Sequence, residues 1–185
     1  YTSSAQQNPA VAALDGGGFI VTWTDSSAHS GGSNWDVRAQ RFDNDGSTAG
    51  SEFMVNSHVG SEQSQAAVTA LAGGGYVVTW GDSSGHSGGS GWDVRAQVYD
   101  GSNQTVGDEV RVNSHTGSSQ YYPGVAALDD GGFVVTWQDN SAHSGGSGWD
   151  IRAQVYDASG EKADSEFLVN SHVGSSQQEP SVATL

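Results

Sequence analysis

Three stretches of the chain carry the same group of potentially reactive side chains. They are HSGGSNWD from His29 to Asp36, HSGGSGWD from His86 to Asp93, and HSGGSGWD again from His143 to Asp150. A histidine among serines, with an aspartate seven residues on, could serve acyl transfer, metal binding or a shaped turn. A catalytic triad takes one serine activated by a histidine that an acid orients. No nucleophile-elbow pattern is present, and the glycines flanking Ser90 would leave it mobile. For a metal, each copy offers an aspartate after an apolar run (Asp25, Asp82, Asp139), the loop histidine (His29, His86, His143) and the aspartate after tryptophan (Asp36, Asp93, Asp150). Carboxylates suit calcium, and histidine with carboxylates suits zinc. The net charge of −15 puts calcium first, and Ca2+ is the one cofactor expected.

These residues recur because the chain is a tandem repeat. Val11, Val68, Val125 and Val182 open the phrases VAAL, VTAL, VAAL and VATL at a constant step of 57. The units run 9–65, 66–122 and 123–179; residues 180–185 open a fourth, and residues 1–14 hold a strand that completes or is shared with a neighbouring unit. SSQQEPSVATL near the end re-reads SAQQNPAVAAL near the start. Every repeat-borne residue therefore occurs at least three times, whereas an enzyme needs one constellation. The multiplicity predicts a non-enzymatic protein without catalytic residues. The non-repeated polar residues Arg41, Arg111 and Lys162 form no alternative set.

Twenty-seven glycines among 185 residues, with no cysteine and 35% hydrophobic residues, predict short strands joined by tight turns. Aromatic residues recur at fixed repeat positions, which argues against disorder. Twenty-one acidic against six basic residues exclude nucleic acid and anionic membrane surfaces as expected partners. No stretch reaches the roughly 20 apolar residues of a spanning helix, so no membrane insertion is expected. The start YTSSAQQNPA has no basic, apolar leader, and any targeting signal is expected to have been removed or to lie on a longer parent chain. The lack of cysteine fits a secreted or cell-surface bacterial protein.

Within the first unit, PAVAAL (9–14) and FIVTW (19–23) flank the glycine turn DGGG and read as a hairpin. WDVRAQRF (35–42) alternates as a strand, DNDGS turns the chain, and SEFMVN (51–56) closes the unit. Four antiparallel strands per repeat, with large residues on both faces, predict an all-β fold of β-propeller-like blades. The alternatives that match a count of three are a β-trefoil or a β-prism. Three blades are too few to close a ring, so self-association, or packing against neighbouring repeats of a longer chain, is expected.

The run GGFVVTW, then GWDIRAQVYDASGE, SEFLVN and P.VA.L resembles the tandem repeats of large secreted bacterial proteins that stand beside haemolysin-type calcium-binding or adhesin modules. Their units read like DGSGYGIYAQRFDASG followed by GEFRVNT. The resemblance covers essentially the whole chain and implies an extracellular repeat module with adhesive or structural use. Where those relatives often show an acidic DGDG loop, this chain has HSGGSGWD.

Other repeat-borne residues have simpler roles. Arg38, Arg95 and Arg152 are expected to pair with Asp36, Asp93 and Asp150 two residues before them, partly buried between units and shared with Gln40 and its equivalents. Trp23, Trp80 and Trp137, each with a second tryptophan in the loop strand, are expected in the core. The NSH turns place Asn56 with His58, Asn113 with His115, and Asn170 with His172, a set that with an aromatic could bind a sugar at each unit boundary. The leading expectation is thus a non-enzymatic extracellular module for surface adhesion or structural assembly, and the second is a multivalent carbohydrate-binding propeller with glycans as partners.

Overall fold

A computed structural model describes residues 4–27, 35–86, 88–89, 91–142 and 148–184, and among these described residues there are twelve strands. The strands make three antiparallel sheets of four, each in sequence order. The first holds β1 (Gln6–Ala13), β2 (Phe19–Asp25), β3 (Asp36–Phe42) and β4 (Phe53–Met54). The second holds β5 (Gln63–Ala70), β6 (Tyr76–Asp82), β7 (Asp93–Tyr99) and β8 (Thr105–Arg111). The third holds β9 (Gln120–Ala127), β10 (Phe133–Asp139), β11 (Asp150–Tyr156) and β12 (Phe167–Leu168). The four strands per unit expected from alternation are present. The closing strand is only two residues in the first and third sheets and seven in the second, where the chain around Gly107 continues the ladder.

The hairpin between the first two strands of each sheet depends on a glycine that lies against the third strand. A Cβ on Gly18 would stand 2.1 Å from the Phe42 carbonyl oxygen, and one on Gly132 would stand 2.2 Å from that of Tyr156. Only hydrogen fits there.

The sheets pack face to face in sequence order. One face of the first sheet, with Ile20, Val37, Ala39 and Val55, meets Tyr76, Val78 and Trp80 of the second. The opposite face of the second, with Val77, Val94, Ala96 and Val112, meets Phe133, Val135 and Trp137 of the third. Both faces of the middle sheet are thus buried, which is why its strands carry apolar residues at odd and even positions alike. The first strands β1, β5 and β9 lie next to one another along a common axis. This arrangement is propeller-like; contacts between sheets run from first to second and second to third, unlike a trefoil or a prism closed on itself. Residues 177–184 lie along β9, with the Glu179 amide donating to Gln138 Oε1 at 3.2 Å and Thr184 Oγ1 donating to the Ala127 carbonyl at 3.1 Å.

Candidate functional site

The aspartates, arginines and asparagines singled out by the repeat are the latch between sheets. Asn56 is buried: its Oδ1 accepts from the Val37 amide at 2.8 Å, and its Nδ2 donates to Asp36 Oδ1, the His58 carbonyl and Gln63 Oε1. Gln63 then donates to Asp82 Oδ1 at 2.9 Å, in the next sheet. Asp82 also accepts from Arg95 Nε at 2.8 Å, and Arg95 Nη1 lies 3.2 Å from Glu109 Oε1. Glu109 returns to the first sheet, accepting from the Ser57 amide and hydroxyl at 2.8 Å each. The same circuit joins the second and third sheets through Asp93, Asn113, Gln120, Asp139, Arg152, Glu166 and Ser114. The arginines' ion-pair partners are therefore Asp25, Asp82 and Asp139 across the hairpin, with Glu52, Glu109 and Glu166, while Asp36, Asp93 and Asp150 are held by asparagine. Register is the cause. Asp82 stands opposite Asp93 and Trp80 opposite Arg95, so the arginine reaches diagonally to the acid on the neighbouring strand.

These contacts set the acids' protonation. Burial pushes the Asp82 carboxyl up, but bonds from Gln63 and Ser84 and the Arg95 charge outweigh it and hold it below the ordinary value. Asp25 and Glu166 are lowered in the same manner. Asp36 ends above the ordinary value, because its desolvation exceeds what Asn56 and Arg38 return.

Of the loop histidines, His29 and His143 lie outside the described residues. His86 is exposed and stacks on His58 with ring centroids 3.2 Å apart. Among the described residues no three histidine, aspartate or glutamate side chains come together as a set that could hold a metal. His115 Nδ1 lies 3.1 Å from Glu166 Oε1, and His172 is exposed on the third sheet's closing turn. Trp80 and Trp137 are fully buried, whereas Trp23 is half-buried on the outward face of the first sheet.

A different constellation forms where the first strands converge. Asn8, Gln65, Tyr122 and Glu179 occupy one repeat position and share one backbone conformation, with φ of 52°, 58°, 52° and 55°. Left-handed backbone is uncommon outside glycine and stands out for a bulky residue such as tyrosine. In each first strand it coincides with a break in register against the second strand, between Gln7 and Ala10, Ser64 and Ala67, and Tyr121 and Gly124. In the three strands this is a bulge, and with Glu179 in the same conformation four different side chains line one space at the axis. They and the residues after them line a cavity of about 390 Å³, in which Gln65 Oε1 accepts from the Tyr122 amide at 3.2 Å.

Beside the axial cavity, and sharing Gln65, Tyr122 and Glu179 with it, lies a groove of about 400 Å³ walled by Tyr121, Trp149, Gln138 and Gln178. Its aromatic rings are in contact: Tyr121 lies 5.0 Å from Trp92, 5.7 Å from Trp149 and 6.1 Å from Tyr122, centroid to centroid. Tyr122 is 46% exposed. The Tyr-Tyr pair occurs on the first strand of the third sheet alone, its counterparts being Gln7-Asn8, Ser64-Gln65 and Gln178-Glu179. Sequence reasoning passed over this site, although a signal was there. Gln6, Gln63, Gln120 and Gln177 are identical in all four copies, and two residues later no two copies agree. Chemically, the set offers flat apolar rings, amides that donate and accept, and one carboxylate.

No family model and no curated protein sequence matches the chain. Solved structures do match. An endo-arabinase from Bacteroides thetaiotaomicron is 16% identical with a TM-score of 0.55, over 88% of this chain and 61% of that one. An N-acetylgalactosamine deacetylase from F. plautii, in complex with blood group B trisaccharide, is 13% identical with a TM-score of 0.60, over 92% and 55%. A protein of unknown function from Dyadobacter fermentans is 9% identical with a TM-score of 0.59, over 91% and 55%. The chain thus spans a little over half the length of these neighbours. The expectation of a non-enzymatic protein is corrected by this likeness, since the fold is one in which an arabinase and a deacetylase are built. The multiplicity argument behind that expectation fails for a physical reason: equivalent positions in successive units hold unlike residues, and the fold gathers them into one unrepeated set on the axis. What the likeness establishes is architecture, an all-β propeller-like fold shared with carbohydrate-active proteins.

Proposed function

We propose that the chain binds a saccharide at the axis, with Tyr122, Tyr121 and Trp149 as the stacking surface and Asn8, Gln65, Gln138 and Glu179 as hydrogen-bonding partners. The observation that carries this reading is an aromatic groove, with a Tyr-Tyr pair that the other copies lack, continuous with a polar axial cavity. Sugar rings present one apolar face of C–H groups and a rim of hydroxyls, which is what flat aromatic rings beside amides and a carboxylate accommodate. The likeness to proteins that act on arabinan and on N-acetylgalactosamine supports the ligand class.

Saccharide recognition is a step that carbohydrate-active enzymes and carbohydrate-binding proteins share. Saccharide binding was the second expectation of the sequence; surface adhesion, part of the first, would follow from it if the glycan belongs to another cell or matrix.

Calorimetric titration of the 185-residue chain with arabinan oligosaccharides and with N-acetylgalactosamine-containing trisaccharides tests the proposal. Binding that Tyr122→Ala and Glu179→Gln each weaken about tenfold or more is expected, as for loss of a stacking contact or a charged hydrogen bond. Silence across both glycan classes at about 1 mM ligand, or binding that both variants leave unchanged, would overturn it.

A further inference from the structure

We infer that the outward faces of the first and third sheets are the two halves of one interface, and that its occupant is a second copy of this chain docked head to tail. The argument comes from the repeat itself. Each face that is free at one end of the molecule is seen packed at the equivalent position inside it. Phe19, Val21 and Trp23 on the first sheet's outward face are half-buried, while their equivalents in the second and third sheets lie at or near zero exposure against the preceding sheet. At the other end, Val134 and Ile151 are half-buried and Val169 is 53% exposed, although Val77, Val94 and Val112 are sealed against the third sheet.

The polar latch is open at the same two places. Glu109 and Glu166 are clasped by the Ser-His turn of the preceding sheet, and their side chains are 6% and 5% exposed. Glu52, the same residue in the first sheet, is bonded to Arg38 but is 31% exposed. The matching turn, Ser171-His172, stands exposed on the third sheet. Gln63 and Gln120 donate to an aspartate of their own sheet, whereas Gln177 turns back to Ser175 Oγ at 3.4 Å. Asp25 of an incoming copy, which within one chain accepts from its own Gln6 at 3.0 Å, is the acid that Gln177 would meet once residues 6–13 give way to their duplicate.

A cavity of about 320 Å³ marks the vacancy on the first sheet, between Gln6, Trp23, Asp25 and Glu52. In the second sheet the equivalent residues are covered by the turn carrying Ser57 and His58. Head-to-tail docking would put Ser171 and His172 of one copy into this cavity of the other. The inner strand at the seam is already supplied: residues 177–184 duplicate residues 6–13 and lie along β9, with the Gln177 amide donating to the Trp149 carbonyl at 2.7 Å as Gln63 and Gln120 do to Trp35 and Trp92. The seam needs one of the two duplicates. A heterologous contact of this kind closes a ring or propagates, according to the rotation it imposes.

Sedimentation of the intact chain at micromolar concentration tests the inference, and a dimer or longer head-to-tail species is expected. Val21→Glu blocks the head face and Val169→Asp blocks the tail face, and each variant alone is expected to sediment as a monomer. Mixed one to one, they are expected to form a heterodimer, because the mixture restores one intact head and one intact tail. Glu52→Gln is expected to raise the dimer dissociation constant about tenfold, through loss of a charged acceptor at the seam. A monomeric wild-type chain, association that persists in both face variants, or a mixture that fails to pair would overturn the inference. If a face variant melts early by itself, the Glu52→Gln constant decides, and an unchanged value counts against the seam.

Discussion

Two positions of the repeat, two residues apart on the first strand of each sheet, behave in opposite ways. Gln6, Gln63, Gln120 and Gln177 never change, and Gln63 and Gln120 are wholly buried, bonded to an aspartate on one side and an asparagine on the other. Asn8, Gln65, Tyr122 and Glu179 all differ, although they share one strained backbone conformation and one cavity. The first position holds sheet to sheet and tolerates one side chain. The second takes four different side chains on one backbone conformation. In this chain, then, sameness marks the latch between sheets, and difference marks the axis at which we propose binding.

The comparison breaks if the latch proves dispensable. Arg95→Leu leaves Asp82 and Glu109 buried without their cation, and a loss of about 3–5 kcal/mol in urea unfolding is expected. Arg38→Leu is expected to cost clearly less, since Glu52 reaches water. Gln120→Ala removes one donor and one acceptor from the second seam and is expected to cost about 1–3 kcal/mol, whereas Gln177→Ala, at the open end, is expected to cost under about 0.5 kcal/mol.

Acid sharpens the same contrast. Asp82 and Glu166 titrate below their ordinary values of 3.8 and 4.5, so the stability they lend is complete above those values and is lost as pH falls through their folded values. Asp36, raised, has the opposite sign and gives back a part of that loss in the first sheet. Melting temperature is expected to fall steeply below about pH 4, and the fall should be smaller in Gln63→Ala, whose Asp82 has already lost a bond that lowers it.

No loss of stability is expected at the axis, and the direction of the change there is informative. Tyr122→Gly places glycine at φ of 52°, where it is unstrained, so the melt should stay level or rise by an amount worth at most about 1 kcal/mol while saccharide binding is lost. A melt that drops by about 2 kcal/mol or more would mean that Tyr122 belongs to the core after all.

Much of the fold was legible because alternation and glycine turns are local. FIVTW and WDVRAQRF read as strands, and they are β2 and β3. The arginine partners were not legible, because Asp36 lies two residues from Arg38 in sequence while Asp25 is brought near only by hairpin register. The axial set was hidden for a related reason: a left-handed residue breaks the period of two, so alternation gives no hint of where Tyr122 points. Burial of Asn56 was also unreadable, since an asparagine after a strand is by itself a turn residue.

The left-handed bulge has a consequence for how the chain can vary. Four unlike residues hold the same backbone conformation there, so exchanging or reordering whole units changes which side chains stand together at the axis. If the axis binds a saccharide as we propose, such an exchange alters several lining positions in one step, where point substitution alters one at a time.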